Sequence, residues 1–480
     1  MLTIQYRAKT IMLFMALALF CFSFQGYRGI WEPDEGRYTA VSMEMLKSKD
    51  WLRPHLHYEK QHWTKPPVTY WTIASSVLLL GKTEFAARFP NSVTFFLTVI
   101  AVYYLGKIFT PERPILPPLL YISFLFPVTV SNIITTDTIL TLWETAGISC
   151  FAYATWVSKR DLSGRHMLLM WAAFGIAFMT KGPPALLPLA SILIFRGLVP
   201  EARLVPMRWL PGLFILILIG FSWYVAVITT KPSLAKYFIW DELILRIFSS
   251  HHHRNDKWYY IFIVYGPVLV FGTMPWTITL IKGVRRAIRS LKTSIRHHMT
   301  PQTARDLFLL LWILIPLTVF FLSKSRLPLY VLPIFAPMAI LAAQQLQATK
   351  FRFTGFRRVM IIAWLVFLIS ARIGSAYYPL KLHRDAKLFA HSIESLNPGE
   401  YDEIVFFKRK PVMGLVFYLN VEVERVSSHT LAEELLENER RIWIIESSLV
   451  KSFLETVANY NRRFHSLGRI ESSFELFKES

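Results

Sequence analysis

The sequence predicts an all-α polytopic membrane protein with a small extracytoplasmic α/β domain at its C-terminal end. Three observations carry this expectation. Hydrophobic residues make up 53% of the chain and its mean hydropathy is +0.37, above the roughly 45–50% apolar usage of soluble proteins. Apolar runs of about 17–22 residues recur through the first three-quarters, a length matched to a hydrocarbon core about 30 Å thick. Lys and Arg gather in short loops between those runs, as the positive-inside rule requires of cytoplasmic loops. That placement also accounts for the formal charge of +21 and removes nucleic acid as a partner. Cys21 and Cys150 lie inside apolar runs, so neither a disulfide nor a zinc site is expected.

Arg7 and Lys9 precede the first apolar run, Ile11–Phe24. The only small-x-small match, Ala16-Leu17-Ala18, falls in mid-run, so the run reads as an uncleaved span rather than a signal peptide. Span segments follow at 8–29, 89–109, 115–131, 138–157, 167–180, 184–197, 210–229, 258–281, 306–323, 327–346 and 359–376. Pro66–Leu80 is apolar enough to add another. Charge decides against it. With about eleven spans, the strongly basic loops 158–166, 198–209, 282–305 and 347–358 all fall inside with the basic N-terminus; counting Pro66–Leu80 puts them outside. That segment opens on Pro66-Pro67 and is short, so it reads as a juxtamembrane or re-entrant helix. Residues 1–376 then form a transmembrane domain with long outer loops at 30–88 and 230–257. Residues 377–480 form the extracytoplasmic domain, with strands expected at Glu403–Phe407, Val416–Val426 and Arg441–Ile445 and helices near 430–440 and 447–459.

On this topology the informative residues are the charges at the outer face. Asp34 follows Pro33 and is placed to cap an amphipathic helix carrying Tyr38, Val41 and Met45 on one side. In the outer loop Asn132–Asp137, Thr135-Thr136-Asp137 is placed to cap the next span. Capping is a sufficient reason for either aspartate, yet two carboxylates at the outer ends of spans are also what sugar transfer uses. Lys65, Lys181, Arg246, Arg254, Lys324 and Arg326 are basic residues on the face where the rule predicts few. Snorkelling accounts for any one of them; several at one level favour an anionic ligand such as a phosphate. A periplasm holds no nucleotide sugars, so an outer-face transferase needs a donor on a lipid phosphate, whose leaving charge those cations would stabilise. In His251-His252-His253 consecutive imidazoles point apart, so His252 and His253 are metal candidates only together with Asp241, Glu242 or Asp256. A divalent metal stays open, and no other cofactor is implied.

Six stretches then stand out in order: Pro33-Asp34-Glu35-Gly36-Arg37-Tyr38, Thr64-Lys65-Pro66-Pro67, Ala86-Ala87-Arg88-Phe89-Pro90, Thr135-Thr136-Asp137, Thr180-Lys181-Gly182 and Ser325-Arg326-Leu327-Pro328-Leu329-Tyr330-Val331-Leu332-Pro333. Through them the chain, from residue 1 to about 345, resembles the bacterial aminoarabinose transferases that modify lipid A, within the wider set related to protein O-mannosyltransferases. The resemblance implies a membrane glycosyltransferase of the GT-C type with Asp34 as principal catalytic carboxylate, Asp137 as its partner and Glu35 beside them. It implies Lys65 as a ligand of undecaprenyl phosphate and Tyr330 near the donor. Arg37, Arg88, Lys181, Lys324 and Arg326 complete the substrate-binding candidates. Thr64 stands where these enzymes often carry Glu; the C-terminal domain looks short for the family, and the resemblance is drawn only up to about residue 345.

The expected activity is inverting transfer of a sugar, 4-amino-4-deoxy-L-arabinose among the candidates, from undecaprenyl phosphate to lipid A or another envelope glycan. The site would face the periplasm from a bacterial inner membrane. Protein O-glycosylation is the alternative enzyme reading. A lipid or polysaccharide transporter would show related halves and polar residues at mid-span, and neither is evident. The topology is testable by labelling. A cysteine placed at Ser290 should react with an impermeant reagent only from the cytoplasm, and one at Thr430 only from outside; the reverse would make Pro66–Leu80 a span.

Overall fold

The computed structural model describes residues 2–57, 60–158, 160–245, 255–294, 299–352, 354–378, 384–428, 430–431, 435, 440–460, 462–470 and 473–479. They form two compact units, one of residues 1–23, 64–69 and 89–372 and one of residues 24–63, 70–88 and 373–480.

The first unit is helical. Among the described residues, four helices are long and apolar enough to cross a membrane: Glu84–Phe109, Pro301–Leu322, Pro328–Ala348 and Gly355–Tyr377. The window tested is 83% buried in Pro328–Ala348 but 17% buried in Gly355–Tyr377, so the former is central and the latter turns most of its side chains to lipid. Of the other segments read from the sequence, 138–157 and 167–180 lie in the unbroken helices Thr136–Trp156 and Arg160–Lys181, and several of the rest are shorter or broken. The first helix, α1 (Leu2–Phe22), ends well short of residue 29. The segment 115–131 divides into Leu116–Ser123 and Leu125–Val130, because Phe124 is extended. The segment 210–229 bends by 49° between Trp209–Gly220 and Ser222–Thr230, and 258–281 breaks between Gly266–Phe271 and Thr277–Ser294. Broken helices are tolerated at membrane depth where protein, not lipid, covers the freed backbone groups.

Aromatic rings fill the middle of this unit. Phe308 packs on Phe195 at 5.1 Å and on Phe151 and Trp156 at 5.4 Å between ring centroids. Elsewhere glycine lets backbones meet, the usual device where no hydrophobic force drives helices together. A Cβ on Gly283 would lie 2.5 Å from the Leu341 carbonyl oxygen.

In the second unit α2 (Asp34–Ser48) is followed by a hairpin of β1 (His55–His57) and β2 (Lys60–Gln61). Most of α3 (Val68–Leu80) also belongs here. Its 13 residues span only about 20 Å at 1.5 Å per residue, too little to cross a bilayer, as the charge argument anticipates. The tail builds a five-stranded sheet from β3 (Glu403–Phe407), β4 (Glu422–Val426), β5 (Arg441–Glu446), β6 (Phe464–Ile470) and β7 (Phe474–Glu479), in the order β4-β3-β5-β7-β6. β3 is parallel to β4 and β5, and β7 runs antiparallel between β5 and β6. Two corrections follow. Residues 415–419 form a helix that Asn420 ends in a left-handed conformation, so the strand expected at Val416–Val426 begins only at Glu422. β6, β7 and the helix Ala386–Glu394 are additional. The helix expected near 447–459 is a 3-10 turn followed by Val450–Ala458, and most of 430–440 lies outside the described residues.

Replacing Gly283 by Ala should force Thr277–Ser294 away from the Leu341 backbone, at a cost of about 1–3 kcal/mol by analogy with overpacked cores. Thermal unfolding in detergent reads this as a lowered midpoint; an unchanged midpoint would mean that the two helices do not touch there.

Candidate active site

Within the second unit, the site begins where the chain leaves α1. Glu35 is fully buried, in the first turn of α2. Its carboxylate accepts from Arg28 Nη1 at 2.7 Å and Nη2 at 2.9 Å, from Arg88 Nε at 3.1 Å and Nη2 at 2.9 Å, and from the Trp31 backbone N–H at 2.9 Å. Burial pushes this carboxyl up, but the charges of Arg28 and Arg88 and their hydrogen bonds overcome it and hold it well below the usual carboxylate range. Arg88, 1% exposed, also donates to the carbonyls of Gln25, Arg28 and Gly29. Glu35 and Arg88 thus hold each other and the loop, and neither presents a free group to a substrate.

Asp34 differs. It is the first helical residue, and Pro33 takes the cap position without a side-chain bond, which corrects the capping reading. Its half-exposed carboxylate pairs with Arg37 at 2.6 Å, and the Arg37 Nε is buried without a hydrogen-bond partner. On the other side of Pro33, Glu32 Oε1 accepts from the Gly414 N–H at 2.6 Å. Burial raises the Glu32 carboxyl to about 8, against the lowering effect of the Gly414 and Met413 N–H groups.

The first unit carries a second cluster. Thr135 caps α4 (Thr136–Trp156), its hydroxyl accepting from the Asp137 N–H, so Asp137 is not itself the cap. The Asp137 carboxylate accepts from Thr135 Oγ1 at 3.0 Å and pairs with Lys181 Nζ. Lys181, last in α5 (Arg160–Lys181), lies 4.5 Å from the Tyr330 ring centroid. Three expected residues therefore meet: Asp137, Lys181 and Tyr330. Arg326 does not join them as a phosphate clamp. It is buried, with Nη1 donating to the carbonyls of Asn255, Asp256 and Lys257 and Nη2 to that of Phe321; the fork meant for phosphate is spent on backbone. Lys324 is exposed and Lys65 half-buried.

Arg246, Arg254, His252 and His253 lie outside the described residues, and among the described ones no group of three or more His, Cys, Asp or Glu could hold a metal. Sequence reasoning missed Arg28, because nothing local marks it as the partner of Glu35. It also missed Glu144, a buried carboxylate within α4, although an ionisable residue inside an apolar run is itself a signal.

Residues 64–226 match the family described as dolichyl-phosphate-mannose-protein mannosyltransferase. ArnT from Cupriavidus metallidurans, solved bound to undecaprenyl phosphate, superposes with a TM-score of 0.78 over 98% of both chains at 16% identity. The archaeal oligosaccharyltransferase AglB from Archaeoglobus fulgidus superposes with a TM-score of 0.56 over 93% of this chain and 70% of its own, at 11% identity. The chain therefore has the multi-pass membrane fold of the GT-C class. By sequence it is a relative of the bacterial undecaprenyl phosphate-α-4-amino-4-deoxy-L-arabinose arabinosyl transferases. It is 30% identical over 372 residues to arabinosyl transferase 1 of Pseudomonas fluorescens, covering 75% of this chain and 64% of that one.

The raised Glu32 carboxyl predicts a pH effect. The fold favours its protonated form, so this contribution to stability is complete below its ordinary value of about 4.5 and is lost as pH rises to about 8. Glu32→Gln keeps an acceptor for the Gly414 N–H and does not ionise. Its melting temperature should fall less steeply between about pH 5 and 8 than the parent's and exceed the parent's at the upper end. Parallel profiles would assign the titration to another group.

Proposed function

We propose that this chain is a glycosyltransferase that moves a sugar from undecaprenyl phosphate to lipid A or another envelope glycan, at the periplasmic face of a bacterial inner membrane. Its relatives' activity, read from their names, supports the reading; the chain matches 55–66% of the length of those relatives. On this reading the chain crosses the membrane about eleven times, and residues 377–480 form the extracytoplasmic domain.

The observation that carries the catalytic assignment is the contrast between Asp34 and Glu35. Glu35 is walled in by two arginines, while Asp34, one residue earlier on the same rigid turn, keeps an accessible carboxylate next to Arg37. The acceptor oxygen attacks the anomeric carbon with inversion, the bond from that carbon to the phosphate oxygen breaks, and the lipid phosphate leaves with the electron pair. Lys65 stabilises the charge on that leaving group. If the acceptor is a phosphate it is already ionised, and Asp34 orients the reactants. If it is a hydroxyl, Asp34 removes its proton; this is the protein O-glycosylation reading, which the match over 64–226 favours.

Asp34→Asn tests the assignment directly, because Asp34 makes no capping bond whose loss would unfold the helix. Transfer from the lipid donor should fall by about two orders of magnitude or more, with thermal stability and affinity for undecaprenyl phosphate close to the parent's. Near-parental transfer would take catalysis away from Asp34.

A further inference from the structure

The helix α4 carries two acidic residues, Asp137 and Glu144. Seven residues apart, they share one helix face, about 10 Å apart along the axis. Both are buried, at 4% and 3% exposure, and an ionisable group inside a span is kept only where it is paired or used. Asp137 has Lys181 and Thr135. Glu144 accepts no hydrogen bond among the described residues, and the charged groups acting on it are Lys181 and Asp137. The cluster therefore holds two carboxylates and one ammonium, and that ammonium is already engaged, by Asp137 and over the Tyr330 ring. A buried site with one carboxylate in excess is complementary to a cation.

We infer that Glu144 binds a protonated amine on the sugar being transferred, and so selects an amino-sugar donor over its hydroxyl counterpart. The inference rests on the transferase reading and adds a specificity residue to it. A ligand ammonium supplies the counter-charge and the hydrogen bonds that Glu144 lacks. An inorganic cation is the other source of positive charge. Two carboxylates beside a lysine make a poor metal site, and no larger group of metal-type ligands surrounds them among the described residues.

The experiment compares two undecaprenyl phosphate donors, one bearing an amino-pentose and one the same pentose with a hydroxyl in place of the amine. They are used with the parent protein, Glu144→Gln and Glu144→Asp. Losing a charge-assisted hydrogen bond should raise KM for the amino donor about 10–100-fold in Glu144→Gln, with KM for the hydroxyl donor unchanged within about twofold, the spread expected of a residue that does not touch it. Glu144→Asp should fall between. Thermal-shift titration with the same two lipids reads the preference without turnover, so failure of the transferase reading shows as absent product while the amine preference is still measured. Equal losses on both donors, or no loss on either, would overturn the inference. So would an amine preference in the parent that a chelator abolishes. If Glu144→Gln does not fold, the Glu144→Asp series decides by the same comparison.

Discussion

Much of the second unit depends on one buried carboxylate. Glu35 lies fully inside the protein, and two guanidinium groups together with a backbone N–H take up its oxygens. Breaking such an arrangement by removing one partner leaves an uncompensated buried charge and costs about 3–5 kcal/mol. The arrangement also reaches backward along the chain, since Arg88 collects the carbonyls of Gln25, Arg28 and Gly29. Those carbonyls sit in the turn that follows α1, where no helix or sheet would satisfy them. One ion cluster thus ties the turn at residues 25–29 to the start of α2. Asp34 inherits a defined position without giving up its carboxylate.

Neighbouring acidic residues meet opposite fates here, and burial with partners decides which. Asp34 and Glu35 are adjacent in sequence, yet one is half-exposed and the other enclosed. Asp137 and Glu144 share a helix face, yet only Asp137 has a cation bonded to it. The cations divide in the same way. Arg88 and Arg326 use several donors of a planar fork on carbonyl oxygens spread over a loop, a task that suits guanidinium and not a single ammonium. Lys181 places a point charge against one carboxylate. Residue type therefore separates the loop-fixing cations from the site-lining one.

The coarse architecture was legible in the sequence because a bilayer imposes length and polarity on every span. All the segments read as spans are helical. What was not legible is where helices break: Phe124 interrupts 115–131, and 210–229 bends at Gly220–Phe221. Asp34 was misread as a cap because an acidic residue after a proline is a common helix start, while here Pro33 itself occupies that position. The stretch from Val416 to Val426 reads as strand from its apolar and aromatic side chains, but the left-handed Asn420 divides it into helix and strand. Glu35 was singled out by its motif, whereas its role depends on Arg88, 53 residues away. Spacing in the sequence holds no trace of that pairing.

The positive-inside rule treats a basic residue at the outer face as an anomaly to be explained by snorkelling or by a ligand. Arg88 and Arg326 supply a third explanation. Each is buried, points into protein rather than toward headgroups, and satisfies carbonyls that lipid would leave bare. Irregular backbone at membrane depth needs donors from somewhere, and an arginine supplies several from one side chain. An outer-face arginine beside a broken helix is therefore weaker evidence for a phosphate than an outer-face lysine, which offers fewer geometries to backbone and keeps its charge compact. Lys181 meets that standard, since its partners are a carboxylate and an aromatic face, both groups that a polar ligand can share.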